Sequence, residues 1–432
     1  MTKRFVALSL FATLGMHAQA PAPQLSLPDA EAMALKNHPQ VLAAQANYLR
    51  ANQITVETRS ANYPSLNGDI TSSQARLNTR IGAGFLTDSR LFNRAGTGIT
   101  LSQLISDFGR THNLVANSEF EAKASEADYR AARDDVVLGV DQAYYDVLLA
   151  QQLVTVAQQT IATRQTVVDQ VSELAKNKLK SQVDLSFAQV NLSEARLMLL
   201  RAQAGLENAY ANLSQALGTQ QLTEYKLADQ PMPPAPPDNA DSLITEAFRN
   251  RPELASVRFQ RAAAEKFVYA ERDLKRPTVS LSGVAGLLPW IEPGNANPGI
   301  PLEYEGFAVN LQVPIFNGHL FTARRRAAEY QLQAADQRVR DLGDRVARDV
   351  RTAWERARTA FESIGATADL LQQATQALDL AQGRYNLGLS SIVELSQAQL
   401  AATQAQVENL NAKYEYQSAY SALEYTLGAL HP

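Results

Sequence analysis

"RYNLGLSSIVELSQAQL" runs from Arg384 to Leu400, and "KSQVDLSFAQV" runs from Lys180 to Val190. Laid over each other, Ser391 matches Ser181, Glu394 matches Asp184, Leu395 matches Leu185 and Gln399 matches Gln189. In each stretch a Ser-x-x-acid pattern precedes an apolar-periodic run, the signature of a capping box where a helix begins. The same helix start, written twice half a chain apart, points to an internal repeat, and a repeat constrains architecture before anything else does.

The correspondence extends outward. "ALKNHPQV" ending at Val41 answers "AFRNRPEL" ending at Leu254, and Pro39 to Pro64 spans the same distance as Pro252 to Pro277. "DFGR" at Asp107–Arg110 answers "FNGH" at Phe316–His319, and "YANLSQALG" ending at Gly218 answers "YSALEYTLG" ending at Gly428. The unit is about 200 residues, too long for a solenoid repeat. Two copies result, 21–218 and 242–432, joined by residues 219–241. In that segment Pro231, Pro233, Pro234, Pro236 and Pro237 predict a plain, extended and semi-rigid linker.

Each copy reads helix, strand, loop, strand, long helix, helix. Strands are predicted at about 64–86 and 97–108, then at about 277–288 and 305–316. In "FAVNLQVPI", Phe307, Val309, Leu311, Val313 and Ile315 alternate with Ala308, Asn310, Gln312 and Pro314, giving one apolar and one polar face. Phe85, Phe92, Trp290 and Tyr304 near the strand ends suit either a membrane interface belt or local packing. Long helices are predicted over about 109–217 and 318–428. Between Gly318 and Tyr385 there is no proline, and Ala335, Val346, Val350, Ala353, Ala357, Ala360, Ala368 and Ala381 fall on a coiled-coil-like seam. At 1.5 Å per residue such a rod is on the order of 90 Å long.

Composition narrows the function. Residues 1–20, with Lys3 and Arg4 before an apolar stretch and Ala18-Gln19-Ala20 after it, read as a secretory signal peptide. The chain has no cysteine, hence no disulfide framework and no thiolate chemistry. Its net charge is −4, more negative still without Lys3 and Arg4, which argues against nucleic acid as a partner. Beyond the leader no run of 18 apolar residues occurs, so spanning helices are excluded while spanning strands are not. Four strands cannot close a barrel in lipid, because open edges leave backbone groups unpaired; neighbouring chains would have to complete it.

The doubled N-x-P starts, the "GR" and "GH" turns after the strands, and "RYNLGLSSIVELSQAQ" together resemble the TolC-like outer membrane efflux protein family, over essentially the whole mature chain. The resemblance implies a membrane α+β fold: a homotrimeric 12-stranded outer-membrane barrel, four strands per chain, continued by a long periplasmic α-helical barrel. It implies an exit duct for tripartite efflux or type I secretion, in contact with outer-membrane lipid, a periplasmic adaptor and an inner-membrane transporter. No cofactor is implied. The long loop around Trp290, Pro293 and Pro298 would be extracellular.

The family pattern places both quoted stretches at the periplasmic tip. Glu394 then lines the pore entrance, with Gln397 where a second acid is expected. Asp184 would accept from Tyr385 and from an arginine that here is Ser390, with Arg384 as its possible replacement. Leu179, Ser181, Leu387, Gly388, Leu389 and Ser391 would form the adaptor-docking tip, on unequal footing because Lys178 stands where the second copy has Gly388. Two other classes are weighed. An enzyme is disfavoured, because five histidines are scattered singly and Asp134 and Asp135 point apart on a helix. A soluble periplasmic coiled-coil adaptor or scaffold explains the helices but not the alternating strands.

Overall fold

The computed structural model describes residues 24–74, 93–291 and 302–430. The first half contains β1 (Gln24–Leu25), α1 (Leu27–Asn37), α2 (Pro39–Ser60), β2 (Ser65–Ser73), β3 (Arg94–Ser106), α3 (Arg110–Lys176) and α4 (Gln182–Ala216). A short β4 (Lys226–Leu227) precedes the second half: α5 (Ala240–Asn250), α6 (Pro252–Asp273), β5 (Thr278–Ile291), β6 (Glu303–Gln312), α7 (Leu320–Asn386) and α8 (Ile392–Leu427). Phe85, Phe92, Pro293 and Pro298 lie outside the described residues.

Small side chains let the long helices approach closely. On α7 the predicted seam is buried at Ala335, Val346, Val350, Ala353, Ala357, Ala360 and Ala381, whereas Ala368 is exposed. Both α3 and α7 contain 67 residues, about 100 Å of helix. Each is flanked by a rod made from two pieces. Thr55 of α2 bonds the Ser118 carbonyl in the upper part of α3, while Tyr210 of α4 accepts from Gln151 lower down. The two pieces abut where a Cβ on Gly218 would stand 2.8 Å from His38 Cα. In the second half, a Cβ on Gly428 would stand 2.9 Å from the Asn250 carbonyl carbon, so α8 abuts the α5–α6 junction in the same way. Both glycines have left-handed backbone, φ 70° and 68°, and close approach forbids any side chain.

The four longer strands form one antiparallel sheet in the order β2-β3-β5-β6, leaving β2 and β6 as free edges. Register assigns the faces. Leu66, Leu101, Gly283 and Phe307 pair across the sheet, as do Leu281 with Val309 and Val279 with Leu311. The opposite face carries Asn67, Asp69, Thr100, Ser102, Ser280, Ser282 and Asn310. Ile70 is 89% exposed, Phe307 78% and Val309 73%, so the apolar face is bare in the single chain. No described helix is long and apolar enough to cross a membrane.

Two expectations need correction, the end of the last strand and the nature of the segment between the halves. The strand predicted at 305–316 ends at Gln312, just before Pro314, which has no N–H to donate to a ladder. Tyr304 lies across the glycines of the polar face, since a Cβ on Gly98 would come within 2.8 Å of its hydroxyl; Trp290 remains half exposed. The segment 219–241 is no plain linker. β4 pairs in parallel with β1, and its proline-rich continuation offers carbonyls that side chains reach. Ala228 accepts from Tyr144 at 2.7 Å, Gln230 from Gln417 at 3.0 Å, and Pro237 from the Trp354 indole at 2.6 Å. Pro234 accepts from Tyr416, and Lys413 pairs with Asp229 at 2.8 Å. A proline-rich strand has acceptors without donors, and the helices supply the donors.

Candidate functional site at the hairpin tips

The α3–α4 and α7–α8 hairpins end in turns of one design. After α3, the Lys178 N–H bonds the Ala175 carbonyl at 3.0 Å and the Leu179 N–H bonds the Leu174 carbonyl at 2.8 Å. After α7, Gly388 bonds Tyr385 and Leu389 bonds Arg384 at 3.0 and 2.8 Å. Both are Schellman closures, which need a left-handed residue. That residue is Lys178 at φ 59° in one turn and Gly388 at φ 75° in the other. The lysine carries roughly 1 kcal/mol of strain that the glycine avoids.

The returning helices begin at the serines. Ser181 Oγ accepts from the Asp184 N–H at 3.1 Å, and Asp184 Oδ2 accepts from the Ser181 N–H at 3.1 Å, a complete capping box. Ser391 Oγ accepts from the Glu394 N–H at 3.3 Å, but the Glu394 carboxylate turns to Arg384, with Oε1 3.5 Å from Nε. The second cap is therefore only half a box.

Tyr385 is 4% exposed and packs with Ile392 and Leu395 against Val167, Val171 and Ala188 of the other hairpin. Its hydroxyl makes no hydrogen bond. The expected Tyr385–Asp184 bond is thus absent, because the carboxylate is held by the backbone of its own helix start. Burial first, and the Asp184 charge second, push the Tyr385 hydroxyl up, so it stays protonated. The Ser390 hydroxyl is likewise without a partner. Arg384 does not replace the arginine of the family pattern, since it pairs within its own hairpin. A cation that the sequence reading passed over does cross between hairpins: Lys180 Nζ stands 4.5 Å from the centroid of the Tyr385 ring. No sequence signal marks that contact, which depends on how the two turns sit side by side. Asn191 also crosses, donating to Ser396 at 2.6 Å.

At the extremity, Leu179, Leu387 and Leu389 are 70%, 75% and 67% exposed. Gln397 is exposed, about one turn beyond Glu394 on α8. Farther up, where α1 lies on α3, Asp141 is 2% exposed and faces Glu31, Ser421 and Glu424. Burial first, then the Glu31 charge, push its carboxyl up to about 8. Burial also raises Glu31 and Glu424, and lifts Tyr145 to about 12.

Comparison with known proteins agrees with this architecture. The chain is 24% identical over 438 residues to outer membrane protein TolC of Vibrio cholerae, covering 99% of this chain and 96% of that one. It is 24% identical over 446 residues to alkaline protease secretion protein AprF of Pseudomonas aeruginosa, covering 100% and 90%. The crystal structure of outer membrane protein VceC from Vibrio cholerae superposes with a TM-score of 0.77 at 18% identity, covering 93% of this chain and 96% of that one. The outer membrane efflux protein profile matches residues 32–219 and 243–429, so the chain belongs to the outer membrane efflux protein family.

Proposed function

We propose that the protein is the outer-membrane exit duct of a tripartite efflux or type I secretion system, acting as a homotrimer. The sheet carries this reading. One face is apolar and bare, the other polar, and both edges are free. In lipid such a sheet must be closed by others. Three four-stranded sheets give a barrel of twelve strands, above the minimum of about eight. The apolar face then meets lipid and the polar face lines the lumen. A soluble scaffold would leave Ile70, Phe307 and Val309 in water.

The helices favour the same assembly. Val183, Phe187, Val190, Leu197 and Leu200 form an exposed stripe along α4. Seams of this spacing seek a partner helix, and a neighbouring subunit supplies one. The paired helix lengths of 11, 22 and 67 residues in the two halves support reading 21–218 and 242–432 as repeats, so three chains would give six near-equivalent staves. At the tip, one Glu394 per subunit rings the pore entrance, weakened by Gln397 and by its own Arg384. The exposed Leu179, Leu387 and Leu389, on turns set by Ser181, Gly388 and Ser391, offer the adaptor an apolar contact. AprF is named for protease secretion; the cargo of this chain belongs to the pump it meets.

The test is purification from outer membranes in detergent, with light scattering and planar-bilayer recording. A conducting trimer is expected. A monodisperse monomer, or protein found in the soluble periplasmic fraction, would overturn the reading.

A further inference from the structure

The two hairpins of one chain must be held together when the tip is closed, yet the charged pairs that could do this are engaged elsewhere. Asp184 closes the box on Ser181, and Arg384 faces Glu394; each pair lies within one hairpin. Near the tip, among the described residues, three contacts do cross. The apolar cluster around Tyr385 is one, the Asn191–Ser396 bond is the second, and Lys180 over the Tyr385 ring is the third. Of these the lysine contact involves a full charge and lies in the turn itself.

We propose that Lys180 is the positioning residue of the closed tip, latching the α3–α4 hairpin to the face of the Tyr385 ring, so that the tyrosine acts through its ring and not through its hydroxyl. The proposal rests on the channel reading above. A cation within about 6 Å of a ring centroid is attracted to the π face, and 4.5 Å is well inside that range. The geometry is fixed from both sides. Lys180 lies between the Schellman closure at Leu179 and the N-cap at Ser181, so its backbone cannot swing. Tyr385 is buried against Ile392 and Leu395, so its ring cannot turn away. Asp184 stands close enough to act on the tyrosine, which keeps the neighbourhood favourable to a cation. The hydroxyl, lacking a partner, adds no bond that phenylalanine would lose.

Single-channel recording of trimers separates ring from hydroxyl. Lys180→Met is expected to raise the open-to-closed ratio roughly 2- to 5-fold per subunit, the yield of an exposed cation–π contact. Tyr385→Leu should do at least as much. Lys180→Arg, which keeps the charge, should restore parental behaviour, and Tyr385→Phe, which keeps the ring, should leave it unchanged. Light scattering of each variant confirms that trimers persist. If Tyr385→Phe opens the channel as far as Tyr385→Leu, the hydroxyl is the latch and the proposal fails. If Lys180→Met gates like the parent while the parent conducts, the proposal fails and the channel reading stands. A parent that forms no conducting trimer overturns that reading, and the latch with it.

Discussion

Arg384 Nε lies 3.5 Å from Glu394 Oε1, bridging the turn between α7 and α8. Both side chains are about half exposed, so the pair adds at most about 1 kcal/mol to stability. On the proposed channel reading its larger effect is electrostatic, because each carboxylate at the pore entrance would carry a neighbouring cation. In reversal-potential measurements, Arg384→Gln should raise cation selectivity and Glu394→Gln should lower it. Selectivity unmoved by either change would remove Glu394 from the pore and leave it only its helix-start role.

The two tip turns differ at one backbone position. Lys178→Gly should raise the apparent melting temperature, because roughly 0.5–1 kcal/mol of left-handed strain is relieved. Gly388→Ala should lower it by a similar amount, although the added methyl meets nothing within 4 Å. Shifts of the same sign in both variants would refute the backbone explanation.

The Asp141 carboxyl gives stability a pH dependence of definite sign. Its ordinary value is near 4, and the fold lifts it to about 8. The native state therefore binds the proton more tightly than the unfolded chain. Stability from this group is full below about pH 4, falls as pH rises through about 8, and is level above. The slope can reach about 1.4 kcal/mol per pH unit for one proton, less as Glu31 shares it. Asp141→Asn should flatten the decline, seen as the difference between parent and variant in thermal unfolding across that range. Parallel curves would show that the carboxyl titrates at its ordinary value.

The strap of residues 219–241 should loosen when its anchor is cut. Trp354→Phe keeps the packing but leaves the Pro237 carbonyl without the indole N–H, at a cost of about 1 kcal/mol. Limited proteolysis should then cleave this segment faster than in the parent; equal rates would show that the other carbonyl contacts suffice.

Period and spacing made much of this molecule legible. Alternation at Phe307–Leu311 gave the sheet faces, the proline-free run after Gly318 gave α7, and the doubled Ser-x-x-acid gave both helix starts. What stayed hidden depends on partners distant in sequence. The strap looked like a linker because proline carbonyls advertise nothing until Tyr144, Trp354 and Gln417 arrive from three helices. Lys180 carried no signal because the ring beneath it belongs to the other half of the chain. The Tyr385–Asp184 bond was expected from family pattern, and the local capping geometry outcompeted it.

The abutment of Gly428 on the Asn250–Arg251 peptide has a consequence for the order of assembly. The upper stave α6 is made before the α7–α8 hairpin, but the piece it rests on, α8, is the last of the described helices. Asn250 and Gly428 stand 178 positions apart in sequence, so closing this joint carries the loop entropy of a distant contact. Helical hairpins can zip locally as soon as they are made. The joint at Gly218 can close once the first half is made, whereas the joint at Gly428 must wait for α8 to travel back to helices laid down before the α7–α8 hairpin.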